Sequence, residues 1–239
     1  MKYDCHNPSA EKFIYTDFVR DLRDSDDVPY IRYPSEYDGQ EMIKLCCTQH
    51  RDFDPDTNTD RMTDARQRKI TAEWVDFLMG NQLPLKEVQL CTLTPQSIFN
   101  ALCTQSGMVS LRVKWLRCDD ISDITGLKHL KKLFIERAPS LTDISPLASL
   151  KELEVLILGD TMKLRDYSPI GEIKSLQMLG ICRYQAATDS LKMKMQSDAF
   201  LAGLPDLRYL DLHDVVIKEK SFCSPESVNR MDYAMFPAE

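Results

Sequence analysis

Cys46, Cys47 and His50 fall within one short stretch of the chain. A thiolate beside an imidazole is a nucleophile in many hydrolases, because the neighbouring base helps the thiol to ionise. Here no third residue can be assigned to orient the histidine and no motif flanks the group, so the chain is read as a non-enzyme. The same residues with Cys5 and His6 lack the repeated two-residue spacing of a structural zinc site, so no metal is expected. The chain has 8 glycines and no glycine-rich phosphate loop, and no cofactor is expected either.

A second kind of chemistry depends on spacing over longer distances. Arg117, Arg137 and Arg183 recur at related places beside Asp160 and Asp214. Three guanidinium groups in a row would grip carboxylates of another molecule through paired hydrogen bonds. That works only if segments far apart in sequence lie side by side, so the question passes to the elements that carry them.

Those elements repeat. Leu130-x-x-Leu133-x-Ile135-x-x-Ala138 is followed by Leu141-x-x-Ile144-Ser145-Pro146-Leu147. A shift of 23 residues gives Leu153-x-x-Leu156-x-Leu158-x-x-Thr161 and then Leu164-x-x-Tyr167-Ser168-Pro169-Ile170. A further copy begins at Leu176-x-x-Leu179-x-Ile181, and another at Leu207-x-x-Leu210-x-Leu212 after an insertion of about eight residues. Upstream, Val113-x-Trp115-x-x-Cys118 fits a shorter copy, with Leu111 and Leu116 as the alternative frame, and Leu85-x-x-Val88-x-Leu90 a weaker one. Each copy reads as a strand and a return segment that bury their apolar sides only when stacked. Pro146 and Pro169 suit the first turn of a return helix, with Asp143, Ser145, Asp166 and Ser168 as caps. Ser190 to Leu201, with its methionines, is expected as a short helix or flap.

Leu141-Thr142-Asp143-Ile144-Ser145-Pro146-Leu147 through Leu153 resembles the leucine-rich repeats of internalins and of phosphatase regulators, and Ile121 to Leu127 is a second copy. The resemblance spans about residues 83–217. It implies an α/β leucine-rich-repeat solenoid, with a curved parallel sheet, short helical or irregular returns and a protein-binding concave face. The asparagine usual after the strand is replaced by Cys118, Ala138, Thr161, Tyr184 and Val215, so backbone bonds or water must satisfy the turn in its place.

Outward strand positions form columns on that face. One holds Gln89, Lys114, Phe134, Ile157, Gly180 and Asp211, with Val155, Met178 and Tyr209 beside it as an apolar centre; the next holds Glu136 and His213, and the next the arginines. The expected partner-binding residues are therefore Lys114, Arg117, Phe134, Glu136, Arg137, Ile157, Asp160, Arg183, Asp211 and His213.

The remaining segments flank the repeats. Residues 1–82 are expected to form a mainly helical cap or a small accessory domain, with helices over Glu11 to Arg23 and Thr63 to Met79 and a strand near Met42 to Cys46; residues 218–239 form a C-terminal cap or tail. Formal charge is −7, with 17 of the 37 acidic residues in the first 82, which argues against nucleic acid as the partner. No apolar run is long enough for a membrane span, and the start lacks a secretory signal. The expected protein is a cytoplasmic, bacterial interaction module holding another protein, as adaptor, effector or inhibitor. The alternative is an N-terminal catalytic or ligand-binding domain with the repeats as its substrate reader.

Overall fold

A computed structural model of the chain describes residues 27–47, 62–183, 192–212, 215–222 and 231–235. Among them runs one nine-stranded parallel sheet, in the order β1-β2-β3-β4-β5-β6-β7-β9-β11. Its strands are β1 (Tyr30–Ile31), β2 (Met42–Leu45), β3 (Glu87–Pro95), β4 (Ser110–Arg117), β5 (Lys132–Ile135), β6 (Val155–Gly159), β7 (Met178–Cys182), β9 (Tyr209–Asp211) and β11 (Tyr233–Met235). Strands β8 (Met193–Ser197) and β10 (Val215–Glu219) form a second parallel pair.

The register is the one the 23-residue shift demands. Leu133 pairs with Leu156 and Leu156 with Leu179, while Ile135 pairs with Leu158 and Leu158 with Ile181. These side chains all point into the core and are fully buried. The next step, Leu179 to Leu210, spans 31 residues, which locates the insertion between β7 and β9.

The return segments are 3-10 turns, not α-helices: Ser122–Gly126, Ser145–Ser149, Ser168–Glu172 and Ala199–Gly203. Five residues are too few for the i to i+4 ladder to repay its nucleation, and the tighter turn suffices to carry Leu147 or Ile170 inward. The proline stands second in the turn, and the aspartate two residues before each first serine caps it. Asp120, Asp143 and Asp166 each accept a bond of 2.8 Å from the backbone N–H of Ser122, Ser145 and Ser168. Asp120, not Asp123, is thus the equivalent of Asp143.

The upstream repeat starts at Leu111, as in the alternative frame, but keeps Val113. Leu111 pairs with Leu133 and Val113 with Ile135, so Val113 takes the place expected for Trp115, and Leu116 rather than Cys118 is the equivalent of Ala138. Backbone bonds replace the missing asparagine ladder, with Leu116 N–H donating to Arg137 O at 2.8 Å and Ala138 N–H to Gly159 O at 3.2 Å.

Part of the insertion is strand. Met193 and Met195 face the core and are buried, so alternation with period two, not a helical face, governs Met193–Ser197. Before the repeats, the described residues combine strand and helix. Helix α1 (Asp64–Gly80) begins at Thr63, whose hydroxyl accepts from Arg66 N–H, and it packs on α2 (Gln96–Leu102). Trp74 is fully buried and donates its indole N–H to Arg32 O at 2.7 Å, tying α1 to the first strand. The sheet passes from β2 into β3 across residue 82 without interruption, and β11 extends it beyond residue 217. The helix expected over Glu11 to Arg23 lies outside the described residues.

Candidate protein-binding face

The register fixes which side chains share a column on the outer face of the sheet. Lys44, Gln89, Arg112, Phe134, Ile157, Gly180 and Asp211 are successive neighbours. Arg112 therefore takes the place expected for Lys114. Its Nε donates to Glu136 Oε1 at 2.6 Å, and its guanidinium lies 5.5 Å from the centre of the Phe134 ring.

The expected apolar centre is not open to solvent. Phe134 is 3% exposed and Glu136 1%, and Val155, Met178 and Tyr209 are buried as well. Neither Phe134 nor Glu136 is presented as a contact residue. Ile157 stays half-buried, with its Cδ1 filling the space that Gly180 leaves empty. A buried Arg–Glu pair contributes little net stability after desolvation, yet removing one member leaves a buried charge less well compensated, so it holds this part of the face in one arrangement.

The carboxyl ends of the strands are different. Gly159 carries no side chain because a Cβ there would stand 2.1 Å from Glu136 O. Asp160 follows in the left-handed region, with φ 47°, a conformation aspartate tolerates better than most residues. Its carboxylate is 3.3 Å from Arg183 Nε through Oδ1 and 3.7 Å from Arg137 Nε through Oδ2. Two of the three expected arginines thus converge on one carboxylate of the chain itself. Arg183 is mostly covered, whereas the Arg137 side chain is 44% exposed.

Trp115, which the first reading of the frame assigned to the core, is half-buried on this rim. Lys114 Nζ and the Arg137 guanidinium each lie 5.8 Å from its ring. The signal that finds it is the pairing of Leu111 with Leu133, which turns Trp115 away from the interior. Arg117 is exposed at the end of β4 and, with Leu93, Pro95 and the Arg68 and Val75 side of α1, lines an open groove of about 640 Å³. Asp211 is half-buried at the far end of the column; His213 and Asp214 lie outside the described residues.

Cys46 and Cys47 are buried, and His50, Cys5 and His6 lie outside the described residues. Burial, aided by neighbouring aspartates, raises the Cys103 thiol far above its ordinary value and pushes Cys118 up to about 12. Among the described residues no group of three or more His, Cys, Asp or Glu side chains could hold a metal ion, and no helix is long and apolar enough to cross a membrane.

No family model matches the chain, and no curated protein matches it. Solved structures do. Internalin C2 from Listeria monocytogenes is 21% identical over 75% of this chain and 86% of its own, with a TM-score of 0.44. A second internalin from the same organism is 17% identical over 68% and 64%, with a TM-score of 0.39. A leucine-rich-repeat protein from Leptospira interrogans is 14% identical over 64% of this chain and 55% of its own, with a TM-score of 0.33. The likeness concerns fold alone, and the parallel register of the chain's own repeats makes it a leucine-rich-repeat solenoid.

Proposed function

We propose that the protein binds a partner protein through the rim at the carboxyl ends of β4 and β5, centred on Trp115, Arg117 and Arg137, as a cytoplasmic adaptor, effector or inhibitor. The observation that supports this is a half-buried tryptophan held between two cations, with an exposed arginine two residues on. Tryptophan and arginine dominate binding energy where they sit in well-packed surroundings, tryptophan through large contact area at low conformational cost and arginine through its planar set of donors. The Arg183–Asp160 pair beneath them is framework rather than contact surface.

The test is capture from native lysate with the full chain carrying Arg117→Glu and Arg137→Ala. Binding of the partner should fall at least ten-fold while the thermal midpoint drops only slightly, since Asp160 keeps Arg183. Undiminished capture would overturn the assignment. Arg183→Glu serves as the contrast, since it sets a second carboxylate against Asp160 and should lower the thermal midpoint.

A further inference from the structure

The side of the molecule that carries the β8–β10 pair is basic in a chain that is acidic as a whole. Strand β8 runs along the return segment after β6: Gln196 N–H donates to Arg165 O at 3.0 Å, and Thr161 Oγ1 meets Met193 Sδ at 3.4 Å. Leu164, Met193, Met195, Val215 and Ile217 turn inward and are buried. Alternation then turns Lys163, Arg165, Lys192, Lys194, Lys218 and Lys220 outward, and all six are exposed.

Some surface cations elsewhere are paired, as Lys131 is with Glu154 at 2.9 Å and Arg208 with Asp232 at 2.7 Å, while scattered ones such as Lys86, Lys128 and Lys151 are not paired among the described residues. Among the described residues none of the six has an ion-pair partner. Among the described residues, the carboxylates in these segments are Asp166 and Glu219, which hydrogen-bond to Ser168 N–H and Gln196 Nε2 and leave the six cations in excess. Lys194 and Lys218 stand diagonally across the two strands, and the summed positive potential of the six favours a bound anion. Val216, 48% exposed and opposite Lys194, adds an apolar contact in its midst.

We infer that this lysine-rich face is a second docking site, on the return side of the solenoid, and that it takes an acidic segment of a protein. Two strands of five residues span about 16 Å, the length of an extended segment of about five residues. An extended polyanion such as a membrane surface or a duplex would also meet the acidic remainder of the molecule, whereas a short segment stays within the patch. Among the described residues, the cluster also has no aromatic side chain on which a base would stack. The site is separate from the Trp115 rim and does not depend on it.

The experiment uses the full chain and fluorescein-labelled decaglutamate, followed by fluorescence anisotropy in 50 mM NaCl. Phosphatidylserine vesicles and single-stranded oligothymidylate serve as rival probes. Wild type should bind decaglutamate more tightly than either rival, and K194E/K218E should lose at least ten-fold, with K194Q/K218Q falling between. K128E/K151E, an equal charge change at exposed lysines of other turns, should leave binding within two-fold of wild type. Absence of binding by wild type would overturn the proposal and leave the lysines as guards of a strand edge. Equal loss in K128E/K151E, or tighter binding of vesicles or oligothymidylate, would overturn it too.

Discussion

Cys103 and Cys118 show what burial does to a single side chain. Removed from water and set near aspartates, each holds its proton through the pH range in which an unfolded thiol loses it. Above about pH 8.5 the unfolded chain binds fewer protons than the folded one, so stability falls as pH rises, by about 1.4 kcal/mol per unit for each thiol. Urea midpoints measured from pH 8 to pH 10 should therefore decline more steeply for wild type than for C103A/C118A. Parallel declines would show that these thiols ionise freely in the folded state.

Each return turn is too short to stand alone, and its start is fixed by one side-chain acceptor. Asp143 does this for Ser145–Ser149 from an exposed position, so Asp143→Ala should cost about 1 kcal/mol. Asp198 is fully buried, and its Oδ1 accepts from Ser221 N–H at 2.6 Å, Ser221 Oγ at 3.0 Å and Phe222 N–H at 3.1 Å. Its removal leaves the buried Phe222 N–H without its acceptor and takes two further bonds from Ser221, so Asp198→Ala should cost about 3 kcal/mol. Denaturant titration of both variants checks the ranking; equal losses would mean that the β10 end is held by other contacts. The Asp143 cap was legible, because aspartate and serine beside proline recur at 23-residue spacing. The Asp198 anchor was not, since its partners lie 23 and 24 residues away in a segment without repeat pattern.

At the scale of the molecule, the described residues before position 82 and the repeats share one sheet and one core. Ile70, Trp74 and Leu78 of α1 are buried in the cluster that includes Val88 and Leu90. Without β2 and α1, strand β3 becomes an open edge with bare apolar neighbours. A fragment of residues 83–239 should therefore aggregate where the full chain stays dispersed, as size-exclusion chromatography would read directly. A monodisperse, cooperatively unfolding fragment would show that the solenoid needs no shield on that side.

The sequence by itself determined the solenoid, its 23-residue period and the place and size of its insertion. Inward side chains must recur with the strand spacing to close a stacked core, and that constraint is written in residue order. Only the tertiary structure decided the frame of β4, and with it the exchange of Arg112 for Lys114 beneath the face and the turning of Trp115 to its rim. A one-sided apolar pattern fixes which residues are inside. It does not fix which outward side chains fold over one another, because Arg112 reaches Glu136 and Phe134 only across the 4.8 Å or so between neighbouring strands.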